Sequence, residues 1–449
     1  MGNAADPIDA DQKLQEDALM SYVASVNYSY DDKYYASFSF RRDGSSRLSP
    51  DTRWGNFWSL SASWRLSQER FMQPLKSVLS DLKLRASYGV NGNLPSSYYG
   101  YQSTYTTGAF YSGKPSPWES TLGNEELTWE KNYALNLGLD IGLFSRVNVS
   151  LDWYTRTTKD LLMSKQLNSI SGFSSLLTNV GQMRNTGVEL EVRSNNIKTK
   201  DFSWTTAFNL SHNKNKILKL ADLPWFVDGR YVRKEGYPFN TIYLREYAGV
   251  DPETGSALYY DNQQDENGNY TKNKVTDPGQ ASPIPLKDIT PTISGGFMNT
   301  FNYKFIDLSF NLSYSFGGYS YDNASYILQD DGYSVISNKS TEQRRRWQKP
   351  GDITDVPRFV YGNKKGGNYN SSRAIHSTDH IRLKSLILGL NAPKAWLQKL
   401  GIGNARIYFS GTNLLTWAAY DQYDPEMSGV VGFYTPPLKT YAFGLELKF

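Results

Sequence analysis

Three histidines, His212, His376 and His380, are the imidazoles this chain offers as metal ligands or general bases. His376 and His380 stand four apart in "RAIHSTDHIRLK", which runs into an alternating segment. On an extended strand that spacing sets them about 13 Å apart, too far to share one ion. The sequence has no cysteine, so thiolate metal sites and disulfide frameworks are excluded. The stretch "QQDENGNYTKNK" (Gln263 to Lys274) places Asp265, Asn267 and Gly268 in the register of a calcium loop. Gln263 stands where the first Asp belongs and Lys274 where the bidentate Glu belongs, so it reads as a polar turn. Nucleophile elbow, phosphate-binding loop and dinucleotide fingerprint are all missing. A glycan-cleaving site would need a paired set of acids that no motif marks. No catalysis, cofactor or metal is expected.

Other candidate residues bind rather than react. "DPETG" (Asp251 to Gly255) reads as a turn. Arg344 to Arg346, before Trp347, read as a solvated cluster that an anionic partner could meet. Aromatic residues in polar connecting stretches are the stronger candidates. They stack on the C–H faces of sugars and suit partner interfaces. Tyr98, Tyr99, Tyr101, Tyr105, Tyr111 and Trp118 fall in one such stretch, Trp225 and Tyr231 in another, and Trp417, Tyr420, Tyr423 and Tyr434 in the last.

The elements that hold these residues are strands. "YALNLGLDIGLF" puts Leu135, Leu137, Leu139, Ile141 and Leu143 on one face and Asn136, Gly138, Asp140 and Gly142 on the other. "VNVSLDWY", "WTTAFNLS", "DLSFNLSYSF", "DLKLRASYGV" and "WSLSASW" repeat the rule. Charge is nearly balanced at +4 over 449 residues, which gives no reason to expect nucleic acid. Mean hydropathy is −0.56, yet the chain carries 33 Tyr, 21 Phe and 11 Trp. That combination is polar on average but rich in strand formers. The start has neither a secretory signal nor a myristoylation pattern. No stretch approaches the roughly 18 apolar residues of a membrane helix.

A soluble sandwich would hide the apolar faces in a core, and a membrane barrel would turn them to lipid. Several segments sustain alternation for about 9 to 11 residues, the membrane length rather than the 5 or 6 of soluble strands. Charges keep to the polar register: Asp81, Lys83, Arg85, Asp140, Asp152, Glu189, Glu191, Arg193, Glu446 and Lys448. That placement suits a wet lumen, since a charge on the lipid face costs about 2 to 4 kcal/mol. Short turns at "YDDK", "LFSR" and "NYKF" alternate with long connections at Asn91 to Thr128, Phe316 to Thr378 and Thr416 to Pro437. Short periplasmic turns and long outer loops are the outer-membrane pattern. Counting back from the last strand predicts about thirteen wall strands, with Pro238 to Val250 assigned to an outer loop.

"RRDGSSRLSP", "LKLRASYGVNGN", "NEELTWEKNYALNLGLD", "NVGQMRNTGVELEV", "RRRWQKPGD", "NYNSSR", "IRLKSLILGL" and "GTNLLTW" follow one another along the chain. In these stretches it resembles the C-terminal part of SusC/RagA-like TonB-dependent outer-membrane transporters of Bacteroidetes. The resemblance implies an all-β, antiparallel transmembrane barrel of about 22 strands. It also implies an N-terminal plug, uptake of oligosaccharides or peptides, a SusD-like lipoprotein lid and energy from the TonB system through an N-terminal box. Residues 19–449 are expected to form the C-terminal barrel part, without a plug, and residues 1–18 part of an outer loop. Signal peptide, TonB box, plug and first strands have no counterpart here, so a fragment is expected. "TYAFGLELKF" carries Tyr441, Phe443 and the terminal Phe449 on its apolar face. It resembles the insertion signal read by the barrel-assembly machinery. The same strands would also fit a soluble or surface β-rich glycan-binding protein or adhesin without transport activity.

Overall fold

Strict alternation forces an extended chain with one greasy and one polar face, and such strands pair edge to edge. The computed structural model describes residues 14–107, 110–220, 223–363, 370–393, 396–397 and 401–449. The expected segment 1–18 is therefore described only from Leu14, and residues 368–369 of "NYNSSR" lie outside the described residues. Thirteen strands form one sheet, in chain order: β1 (Leu19–Tyr30), β2 (Tyr34–Ser45), β3 (Trp54–Arg65), β4 (Leu79–Asn93), β5 (Glu130–Leu143), β6 (Val147–Gln166), β7 (Ser175–Lys198), β8 (Phe202–Lys219), β9 (Ile293–Tyr303), β10 (Ile306–Phe316), β11 (His380–Asn391), β12 (Asn404–Ala418) and β13 (Thr440–Lys448). Each neighbouring pair is antiparallel. Among the described residues β1 and β13 have one neighbour each, so the sheet is an open stretch of wall.

The register keeps every apolar face on one side. Tyr34, Trp64, Leu84, Leu139 and Leu151 are successive cross-strand partners from β2 to β6. All but Leu139 are at least 37% exposed, so no protein core covers this face. A soluble sandwich would have packed a second sheet there. No helix among the described residues is long and apolar enough to cross a membrane. The buried apolar clusters combine strand-end residues of the wall with loop residues, for example Phe57 with Leu48, Leu127 and Trp129, or Leu161, Met163 and Ile217 with Leu220.

The three short turns are where the alternation predicts them. Asp31 and Asp32 both have φ 51°, and Phe144 and Ser145 both have φ 53°. Lys33 N–H donates to Tyr30 O and Arg146 N–H to Leu143 O, closing two-residue turns whose twist matches the strands. At the opposite end the long connections carry structure of their own. Residues 220–292 hold a four-stranded and a three-stranded sheet, with Thr241–Leu244 in the first and Tyr247–Val250 in the second. The Pro238 to Val250 stretch thus belongs to a loop and not to the wall. These loops are less simply polar than their composition suggests, because Ile242, Leu244, Tyr321 and Ala374 form a core between two of them.

Candidate functional site in the lumen and outer loops

On the polar face, some charges pair along one strand, as Arg41–Asp43 and Arg193–Glu191 do, and others bridge from strand to strand. Arg85 (β4) and Asp152 (β6) are both register partners of Gly138 on the strand between. The guanidinium lies over that glycine and bonds Asp140 at 2.8 and 2.9 Å, Asp152 at 2.9 and 3.0 Å, and Ser150 at 3.1 Å. A Cβ on residue 138 would sit 2.5 Å from Arg85 Cζ, so the bridge needs glycine there. Asp307 (β10) likewise spans Gly389 (β11) to reach Arg406 (β12) at 2.7 Å, and Arg406 also faces Glu446 at 3.7 Å. Tyr154 spans Gly187 to donate to Asn213 Oδ1 at 3.1 Å. The wall thus presents polar groups inward, some of them held in glycine-spanned bridges, and hydrocarbon outward.

The outer loops form a crown held by buried ion pairs. Arg373 bonds Asp331 through both nitrogens, at 2.5 and 3.1 Å, and Gln343 Nε2 donates to the same carboxylate at 2.9 Å. Arg382 donates to Asp424 at 2.8 Å and Glu426 at 2.9 Å, and Lys384 to Glu426 at 2.6 Å, which ties the last loop to β11. His376 stacks on Tyr420 with ring centroids 3.7 Å apart, and burial pushes its pKa below the usual imidazole value. Tyr420 donates to Asp322 at 3.0 Å, and burial raises its phenol pKa. Tyr423 bonds Ser320, and burial pushes it up to about 12.

The candidate aromatics divide by setting. Tyr98 lies under Arg47 at 4.1 Å and beside Tyr99, whose hydroxyl meets Glu16 N–H; Tyr101 accepts from Gln102. Tyr105, Tyr111 and Trp118 project from small hairpins and are 65%, 80% and 59% exposed. Trp225 leans on Tyr243, and Tyr231 packs into the loop core. Tyr420 and Tyr423 are structural pillars, and Tyr434 is exposed at a cleft. Trp417 sits within β12, opposite Ile381 and on the same outward register as Leu415 and Leu383. That is an aromatic-girdle position rather than a loop tip. Tyr441, Phe443 and Phe449 all point away from the wall, 62%, 82% and 87% exposed.

Asp265 accepts backbone N–H bonds from Asn267 at 2.9 Å and Asn269 at 2.8 Å, so the calcium-like stretch is a capped turn. Among the described residues no cluster of three or more His, Cys, Asp or Glu could hold a metal ion. "DPETG" closes through Gly255 N–H to Asp251 O and packs on Trp347, whose indole donates to Pro252 O at 2.9 Å. Arg345 pairs with Glu342, whereas Arg344 is exposed. Sequence reasoning missed the glycine-spanned bridges. Their signal was a glycine in the polar register with a charge expected on either side.

The family described as TonB dependent receptor-like, beta-barrel, matches residues 2–242. TonB-dependent receptor P3 of Formosa agariphila is 33% identical over 471 residues, covering 97% of this chain and 46% of that protein. TonB-dependent receptor SusC of Bacteroides thetaiotaomicron is 31% identical over 476 residues, covering 98% and 45%. The solved RagAB peptide transporter superposes with a TM-score of 0.89 at 30% identity, over 100% of this chain and 50% of that one. The chain spans about half the length of the curated relatives it matches.

Proposed function

This chain belongs to the TonB dependent receptor-like β-barrel family, and on that premise we propose that residues 19–449 are the C-terminal part of an importer for oligosaccharides or peptides. It is an outer-membrane protein of the TonB-dependent transporter family, SusC- and RagA-like in sequence and fold. In this reading the wall lines one side of a lumen that a plug closes. TonB drives the plug through an N-terminal box outside these residues. A SusD-like lipoprotein covers the crown, and the barrel-assembly machinery reads Tyr441, Phe443 and Phe449. Leu14 to Ala18 complete an outer connection, supported by the Asp17–Arg47 pair at 3.1 Å and by Ala18 N–H donating to Ser46 at 2.8 Å.

The observation that carries this reading is the two-faced wall. Bridged charges such as Arg85–Asp152 stand on the inward face, and uncovered Leu, Trp and Phe on the outward one. Tyr105, Tyr111 and Trp118 are the proposed solute contacts, since each offers an open ring. The proposed lid seat is Tyr333, Val335, Ile336 and Tyr361, all exposed, on two segments joined where Gly362 N–H donates to Gly332 O.

The test uses cells carrying the whole transporter and fluorescent oligosaccharides or peptides. Uptake should need TonB and fall at least fivefold when Tyr105, Tyr111 and Trp118 are all changed to Ala. A lipoprotein should co-purify with the wild type and be lost with Tyr361→Asp. Unchanged uptake in the triple variant would remove those residues from the solute path, and TonB-independent uptake would overturn the transport reading.

A further inference from the structure

The end of the wall that carries the short turns is the periplasmic end in an outer-membrane barrel. There the connection from Arg65 of β3 to Leu79 of β4 is long and structured. It joins two strands that each have neighbours on both sides, so its setting does not depend on what adjoins β1 or β13. Residues Arg70–Leu75 form a 3₁₀ helix, which Val78 N–H extends by donating to Leu75 O at 3.0 Å. Three residues per turn eclipse positions i and i+3. The stretch "RFMQPLKSV" therefore splits by thirds: Met72, Leu75 and Val78 stack in one row, Phe71 and Pro74 in the next, and Arg70, Gln73 and Lys76 in the third. Two rows are apolar and one is cationic. Phe71, Leu75 and Val78 are all exposed.

The helix is tied to the outward side of the wall. Tyr34 and Trp64 close the apolar face of β2 and β3 at this end, and both donate to Glu69 Oε1, at 2.7 and 3.1 Å, just before the first turn. The apolar rows thus continue the outward face and stand away from the lumen. At the other end Val78 O accepts from Phe144 N–H at 2.8 Å, in the turn between β5 and β6, and Phe144 is exposed as well. Acids along this rim are engaged: Asp31 pairs with Lys33 at 2.6 Å, Asp32 with Arg65 at 3.1 Å, and Glu69 holds the two aromatic donors. The cations are not. Among the described residues Arg70, Lys76 and Arg146 form no ion pair, and all three are exposed. Free cations beside exposed apolar rows make an interfacial segment, whose hydrocarbon sinks among acyl chains while long basic side chains reach phosphate. A protein seated here would have to displace the lipid that adjoins Tyr34 and Trp64.

We infer that residues 69–78, with Phe144 and Arg146, form an anchor in the periplasmic leaflet. Phe71, Leu75, Val78 and Phe144 enter the boundary between acyl chains and headgroups, and Arg70, Lys76 and Arg146 bind the phosphates of anionic phospholipid. The inference rests on the outward face of the wall meeting lipid, so its test carries a separate marker for that face.

The test uses the full chain in vesicles of mixed phosphatidylcholine and phosphatidylglycerol, with a fluorophore on a single cysteine at position 71, 75 or 139. The label at Leu139 should be quenched by lipid brominated deep in the acyl chain. Labels at Phe71 and Leu75 should be quenched more strongly by lipid brominated near the headgroup than by the deep bromine or by iodide on both sides of the membrane. Spin-labelled phosphatidylglycerol should associate about threefold more strongly than spin-labelled phosphatidylcholine, and Arg70→Gln, Lys76→Gln and Arg146→Gln together should bring that ratio to about one. The melting temperature should stay unchanged, since none of the three has a partner to lose. Iodide quenching alone at positions 71 and 75, with Leu139 still quenched by lipid, would overturn the anchor and leave the rim to a periplasmic protein. An unchanged lipid ratio in the triple variant would overturn the phosphate contact. No lipid quenching at Leu139 would overturn wall and anchor together.

Discussion

Arg85 and Asp152 are bonded at 2.9 Å although a whole strand lies between them. The contact exists because Gly138, the register partner of both, has no side chain to block it. One guanidinium thereby fastens β4, β5 and β6 on the inward face, where water-exposed ion pairs are usually weak. Here the bridge is bidentate to two carboxylates, the geometry in which such pairs do contribute.

Gly138→Ala should displace the guanidinium, since its Cβ would fall 2.5 Å from Arg85 Cζ. The expected loss is about 1 to 2 kcal/mol, discounted for partial solvent exposure. Thermal unfolding in detergent should show the drop, and it should shrink when Arg85→Ala is already present.

The two faces should answer oppositely to charge. Phe310→Lys places an ammonium on the outward face and should cost about 2 to 4 kcal/mol if near mid-bilayer. Ser309→Lys, one residue away and inward, should cost under about 1 kcal/mol. Unfolding from lipid vesicles in urea gives both numbers.

The crown should loosen in acid. Burial lowers the His376 pKa, with a smaller opposing pull from Asp322. Unfolded histidine titrates near 6.5, so between that value and the depressed folded one the open loop binds the extra proton. His376 therefore contributes stability above about pH 6.5 that is lost as pH falls. Hydrogen exchange at residues 319–322 and 375–377 should speed up between pH 7.5 and 5, and His376→Phe should remove that dependence.

Deleting Phe449 separates folding from assembly. Its ring is 87% exposed, so unfolding in detergent should not change. If the terminus is read by the assembly machinery, the amount of protein in the outer membrane should fall several-fold. Equal amounts would show that Phe449 is not part of the signal.

The wall was legible because period-2 alternation is a local property, visible in "YALNLGLDIGLF" without knowing any partner. Turns such as Asp31–Asp32 were legible for the same reason. The crown was not, because its contacts join residues far apart in sequence: His376 to Tyr420, Arg373 to Asp331. "GTNLLTW" shows the boundary between the two. It reads as one motif, but Asn413 breaks it, so that Gly411 has partners on both β11 and β13 and Leu415 on β11 alone. Trp417, which composition placed among the loop aromatics, lies instead on the outward face of β12, since a bulge cannot be read from alternation alone.

The absence of cysteine makes the most direct test clean. Single cysteines at positions 135 to 142 of β5, each carrying a fluorophore in the chain reconstituted in lipid, can be quenched from the bilayer or from water. Labels at Leu135, Leu137, Leu139 and Ile141 should be quenched by brominated lipid, and those at Asn136, Gly138, Asp140 and Gly142 by iodide. Quenching by iodide at all eight positions, or without a two-residue period, would contradict a membrane wall with a wet inner face.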